Sequence, residues 1–184
     1  MASYASKNLK RIKQILPAPQ PHWVGNGFNV FPVFADKAFT AELSPFLMFD
    51  YAAPKDFPVN NGRPKGVGQH PHRGFETVSL AFQGEVEHAD SIGNRGVIKA
   101  GDVQWMTAAR GIIHQEFHST EFSKRGGTFE FCQLWVNLPA KDKMTPPKVR
   151  TWDSKSDEQI RRVLSFLFPN AVNAAFHSTP PRSF

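Results

Sequence analysis

One cysteine, Cys132, is all the chain has. An internal disulfide is therefore excluded, and a reducing compartment is the natural setting. Cys132 lies in the apolar run Phe131-Cys132-Gln133-Leu134-Trp135-Val136, where a free cysteine behaves as a small buried hydrophobe. No apolar stretch approaches the ~20 residues that a membrane helix requires. The N-terminal Met1-Ala2-Ser3-Tyr4-Ala5-Ser6-Lys7 is not followed by the apolar core of a secretion signal. The expected location is cytoplasmic, with no membrane partner. No internal repeat is visible. The net charge of +6 is scattered, with one modest cluster at Lys7, Lys10, Arg11 and Lys13. That cluster reads as a solvated face rather than a groove-binding stripe, so nucleic acid is not an expected partner.

What is abundant is phenylalanine (17) and proline (15), in a chain of 184 residues. That length suits one well-formed domain and is marginal for two. Residues 7–16 form a short amphipathic segment, and Pro17, Pro19 and Pro21 forbid its continuing as a helix. From about 23 to 52 the text is aromatic and β-branched, which favours strands. Residues 54–69 are rich in Pro, Gly and Asn and read as a loop. From 70 to 138, short strand-like runs alternate with glycine turns such as Gly93-Asn94-Arg95-Gly96. That spacing points to an all-β sandwich or closed barrel. Residues 155–168 could form one helix, capped by Ser156 with Gln159 three residues on, and lined by Ile160, Val163, Leu164 and Leu167. After Pro169 the text reads as an irregular tail.

Two short motifs carry the chemistry: His70-Pro71-His72 and His114-Gln115-Glu116. In a strand, alternate side chains share a face. His70 and His72 therefore look one way together, as do His114 and Glu116. If the two stretches lie side by side, three imidazoles and one carboxylate converge. Three neutral nitrogens and one hard oxygen suit iron, and zinc, nickel, manganese or copper less decisively. Either motif alone is weak. The second pair follows the first by 42 residues (114 − 72), a stretch with enough strands and turns for a sheet to curl back. Rigid strands would hold the ligands before the metal arrives. Other polar candidates have plainer readings. His88 suits a surface or pocket-wall position, and His118 a polar rim. Phe75 and Trp105 either wall a cavity or pack in a core. Arg73 and Arg110 either orient a substrate or form ordinary ion pairs.

Residues 66–138 resemble the pirins, of the cupin superfamily. The matching stretches are His70-Pro71-His72-Arg73-Gly74-Phe75-Glu76-Thr77-Val78, Gly101-Asp102-Val103-Gln104-Trp105-Met106-Thr107-Ala108, Arg110-Gly111-Ile112-Ile113-His114-Gln115-Glu116 and Gln133-Leu134-Trp135-Val136-Asn137-Leu138. The similarity extends more loosely back to about residue 22 and forward to about 148. It implies an all-β cupin barrel, a double-stranded β-helix or jelly roll, followed by a short helical or irregular tail. It implies one divalent metal, most often Fe(II), with Zn, Ni, Mn or Cu as alternatives, held by His70, His72, His114 and Glu116. Other cupins take the carboxylate from the first motif, which would be Glu76; the resemblance favours Glu116 and leaves Glu76 a supporting role.

Pirins stack two such barrels. The expected division is a pirin-like unit over 1–148 and a divergent tail over 149–184, with the second barrel missing. A truncated or frame-shifted coding sequence and a genuine single-barrel variant both account for that pattern, and the abrupt loss of similarity favours the first. The face left uncovered would be apolar, which favours self-association. The implied activity is of the quercetin 2,3-dioxygenase type, metal-dependent addition of O2 to a flavonol-like substrate, with Glu116 as catalytic proton acceptor as well as ligand. The alternatives are a non-catalytic, redox-sensitive regulator that binds a transcription factor or metabolic enzyme, and an inactive truncated fragment.

Overall fold

The computed structural model describes residues 11–153. The tail from 154 onward, with the expected helix over 155–168, lies outside them. Among the described residues the chain is built almost wholly of antiparallel strands, as its alternating text requires. They are β1 (His22–Val24), β2 (Phe28–Phe34), β3 (Phe46–Phe57), β4 (Gly66–His72), β5 (Phe75–Gln83), β6 (Glu85–Asp90), β7 (Arg95–Lys99), β8 (Val103–Thr107), β9 (Ile112–His118), β10 (Gly127–Asn137) and β11 (Lys148–Trp152). Two one-and-a-half-turn helices interrupt them, α1 (Lys37–Glu42) and α2 (Thr120–Arg125).

The strands form two sheets. One has seven strands in the order β1-β2-β3-β10-β5-β8-β11, and the other has four in the order β4-β9-β6-β7. Consecutive strands often sit in different sheets, so the chain crosses repeatedly between two layers, as in a jelly roll. Period-two alternation sorts the side chains. On β10, Phe129 and Phe131 join the core between the sheets, with Phe28, Val30, Ala52, Phe57, Ala81, Val86 and Ile98. Cys132, of opposite parity, joins Leu80, Phe82 and Val103 on the other face of the large sheet, with Tyr51 and Trp152 packed against them. These four are themselves buried. Among the described residues, large apolar side chains that are exposed include Ile12, Trp23, Val59, Ile92 and Met144.

Several local expectations shift. Residues 11–16 carry no regular structure, and Ile12 and Ile15 are exposed; an apolar stripe with nothing to pack against gains nothing from helix formation. The expected loop over 54–69 is shorter, because β3 continues to Phe57 and β4 begins at Gly66. β3 tolerates Pro54 because the register with β10 slips there, between the Phe131–Ala52 and Phe129–Lys55 pairs. A proline without an N–H is accommodated at such a bulge. β11 runs across the expected boundary at 148/149 and pairs with β8, from Lys148–Thr107 to Trp152–Val103.

Candidate metal centre

The two motifs land on neighbouring strands. β4 pairs antiparallel with β9, with His70 opposite His114 and His72 opposite Ile112. On β9 the alternation is complete: His114, Glu116 and His118 are buried and point inward, whereas Ile113 is exposed. Two glycines allow the pairing. Gly74, just after the first motif, has φ 82°, a conformation other residues rarely adopt. Gly66 lies so close to β9 that a Cβ there would come within 2.2 Å of the Glu116 carbonyl oxygen.

The three imidazoles meet. Ring centroids are 4.4 Å apart for His70–His114, 4.8 Å for His72–His114 and 4.9 Å for His70–His72. One ligand atom from each lies within 4.8 Å of the others. His70 Nδ1 is 2.8 Å from the Gly68 carbonyl oxygen. Only an N–H can donate to that oxygen, so the lone pair is left on Nε2. Nε2 of His72 and of His114 are buried with no hydrogen-bond partner among the described residues. Burial, with neighbouring imidazoles adding to it, pushes the pKa of both rings down to about 3. They are neutral at physiological pH. This is the state a metal ligand needs.

Glu116 stands slightly apart from the imidazole trio. Its Oε2 lies 4.0 Å from His114 Nε2. Gln133 Nε2 is 3.4 Å from each of its oxygens, and Ser79 Oγ is 3.5 Å from Oε1. Burial raises the pKa of this carboxyl, against the lowering influence of His70, Gln133, His88 and Ser79. Glu76 is elsewhere. It accepts a 2.6 Å hydrogen bond from Thr107 Oγ1 and lines a separate groove with Trp105 and Arg150.

His70, His72 and Glu116 line a cleft of about 550 Å³ with apolar walls of Phe28, Val30, Met48, Phe75, Phe131 and Trp135. Phe75 thus walls the cavity, its ring tilted by 32° against that of Trp135 at 4.5 Å, whereas Trp105 lies edge-on to Trp152 on the other face of the sheet. Arg73 lines the cleft, its Nη2 3.5 Å from Met144 Sδ. Arg110 is exposed.

One histidine differs from expectation and a second agrees with one of its two readings. His118 is not at a rim: it is buried among Phe28, Phe57, Phe122 and Phe129, and its ring nitrogen meets the Gly27 carbonyl oxygen at 2.9 Å. The strand has not left the core by that point, so the same parity that aims His114 inward aims His118 inward too. His88 lines a groove with Arg63, Gln115 and Phe117, a pocket-wall position, and is buried directly across from Glu116 in the β6–β9 pairing. Sequence reasoning passed over Gln133 and Ser79. A signal existed for Gln133: it shares parity with Phe129, Phe131 and Trp135, a polar residue on a core-facing row.

The sequence pattern of the pirin family matches residues 27–136. A Pseudomonas aeruginosa protein provisionally named a quercetin 2,3-dioxygenase is 55% identical over 143 residues, covering 78% of this chain and 50% of its own. Human pirin is 44% identical over 117 residues, covering 63% of this chain and 36% of its own. A crystal structure described as quercetin 2,3-dioxygenase from Acinetobacter baumannii superposes with a TM-score of 0.73 at 53% identity, covering 79% of this chain and 51% of that one. The chain spans about half the length of these bacterial relatives, and the all-β fold is of the cupin type. With its family pattern matched over more than half its length, this chain belongs to the pirin family.

Proposed function

We propose that this chain is a metal-binding cupin in which His70, His72, His114 and Glu116 hold one divalent ion, Fe(II) being the ion that the donor set suits best, and that it acts as a quercetin 2,3-dioxygenase-type enzyme. The observation that carries the metal is the pair of buried, unpartnered Nε2 atoms of His72 and His114. Such atoms are costly to bury unless something binds them. The observation that carries a flat aromatic substrate is the cleft beside them, walled by Phe75, Phe131 and Trp135.

A bound divalent ion would supply Lewis acidity toward the 3-hydroxyl of a flavonol and a place for O2 to react. The protein's own contribution is binding, dryness and proton handling. Phe75 and Trp135, in tilted contact with one another, offer aromatic surface to a planar substrate and keep water from the reacting centre. Glu116 Oε2 is the acceptor for the 3-hydroxyl proton. Gln133 and Ser79 hold this carboxylate while its protonation changes. In the overall reaction quercetin and O2 give a ring-opened carboxylic acid and carbon monoxide.

Oxygen consumption and carbon monoxide release with quercetin test this proposal on wild-type protein and on His114→Ala. Turnover that disappears together with bound metal in the variant supports it. A wild-type protein that retains metal but consumes no oxygen with any flavonol contradicts the enzymatic assignment and favours the redox-sensitive regulator.

A further inference from the structure

The cleft has a polar lining residue, Asp50, outside the proposed metal cluster. Across the large sheet runs a rung of paired residues: Asp50 on β3 opposite Gln133 on β10, and Gln133 opposite Ser79 on β5. Directly opposed residues present their side chains to the same face. Gln133 and Ser79 both turn to Glu116, so the rung faces the metal cluster, and Asp50 lines the same cleft. Gln133 is taken, because Trp135 Nε1 donates to its Oε1 at 3.0 Å and its Nε2 reaches Ser79 and Glu116. Asp50 is not. Its Oδ1 is buried and has no hydrogen-bond partner among the described residues. Burial raises the pKa of this carboxyl, and only His22 opposes that.

Strands in a sheet are about 4.8 Å apart, so Asp50 lies one spacing from Gln133 and two from Ser79. Glu116 hangs over the latter pair. The unpaired oxygen is thus displaced sideways from the metal cluster by roughly 5–10 Å, with Phe131 and Met48 lining the same cleft. An aromatic molecule held at the cluster by one oxygen extends along these apolar walls toward Asp50.

From this geometry, and resting on the flavonol assignment above, we infer that Asp50 is a specificity-determining residue that accepts a hydrogen bond from a second hydroxyl of the substrate, remote from the oxygen held at the metal cluster. The preferred substrate is therefore a polyhydroxylated aromatic, not merely a flat one. A planar ligand without that hydroxyl leaves the buried oxygen unsatisfied and is rejected on that ground. The cleft keeps an unsatisfied acceptor because it is satisfied only when occupied.

Equilibrium binding to the metal-loaded protein tests this without requiring turnover. The probes are quercetin and 3-hydroxyflavone, which lacks every hydroxyl but the one at position 3. The wild type should bind quercetin roughly 10- to 100-fold more tightly, the scale of one hydrogen bond to a charged acceptor. Asp50→Ala should abolish most of that preference, weakening quercetin and leaving 3-hydroxyflavone nearly unchanged. Its metal content should match wild type, and its melting temperature should be equal or higher, since an unpaired buried oxygen has been removed. Equal binding of both probes by the wild type, or a preference that survives Asp50→Ala, overturns the role of Asp50 and leaves the flavonol assignment standing. Binding of neither probe by metal-loaded, folded protein overturns both.

Discussion

Gln133 is fixed at both ends. Trp135 donates to its Oε1 at 3.0 Å, and its Nε2 lies 3.1 Å from Ser79 Oγ and 3.4 Å from both oxygens of Glu116. Each contact to Glu116 is long by the standard of a strong hydrogen bond, but together they set where the carboxylate points. Groups that orient metal ligands in this way typically contribute 10–100-fold to metal affinity or activity. Gln133→Leu should therefore lose roughly that much, read as weaker metal retention under a chelator titration or as lower kcat with quercetin. Unchanged values for both would show that Gln133 is only filling space. The histidine motifs were legible because their chemistry is local: two residues on one strand, with parity doing the rest. Gln133, Ser79 and Asp50 come from three other strands, and only the register of β3, β10 and β5 aligns them. No pattern in one sequence fixes a register across 54 or 83 residues (133 − 79 and 133 − 50). Cys132 illustrates the opposite case. Its apolar run sufficed, and burial, together with Glu130, raises its thiol to about 12, where it is inert.

The element that carries the site is the β4–β9 pair, and it depends on close backbone approach. At Gly66 a Cβ would meet the Glu116 carbonyl oxygen at 2.2 Å and the Phe117 Cα at 2.5 Å. Both are backbone atoms of the strand that presents His114 and Glu116, two of the proposed ligands, so neither can yield cheaply. Gly66→Ala must push β4 away from β9, lowering stability by about 1–3 kcal/mol as overpacking does and separating His70 from His114. Denaturant titration and metal affinity should both register the change; a variant with wild-type values for both would mean that the pairing is looser than described. At this scale the central strands β5, β8, β9 and β10 were legible, because their alternation is strong and glycine turns bound them. β11 was not. Lys148-Val149-Arg150-Thr151-Trp152 is too short to show a period, and its place is set by β8 and by the packing of Val149 and Trp152 against buried clusters. α2 was missed for the same reason. It spans six residues and is held by Ser119 Oγ accepting from the Phe122 amide at 2.9 Å.

For the whole molecule, buried histidines set the response to acid. The pKa values of His72 and His114 lie near 3 and that of His118 near 4, chiefly through burial, and that of His88 is lowered too. In the unfolded chain each returns to about 6.5. Between pH 6.5 and about 3 the unfolded state therefore binds more protons, so stability falls as pH falls. Each imidazole fully engaged contributes roughly 1.4 kcal/mol per pH unit. Glu116 and Asp50, whose pKa values are raised, act in the opposite direction, but two carboxyls face four imidazoles. The metal-free protein should melt progressively lower from pH 7 to pH 5. A melting temperature that is flat or rises on acidification would contradict the burial of these rings. No helix among the described residues is long and apolar enough to cross a membrane. The chain matches about half of its bacterial relatives, and the cleft and the four proposed ligands all fall within the residues that the family pattern covers, apart from His22 and Val24 at its edge.

Everything functional rests on one ion being held by two neighbouring strands. The most direct measurement is elemental analysis of protein purified without added metal, done side by side on the wild type and on His72→Ala, with circular dichroism confirming that both are folded. The account predicts close to one equivalent of a divalent metal in the wild type, iron foremost, and almost none in the variant. A folded wild type that neither carries nor takes up a stoichiometric metal, or a variant that keeps its full complement, would contradict it.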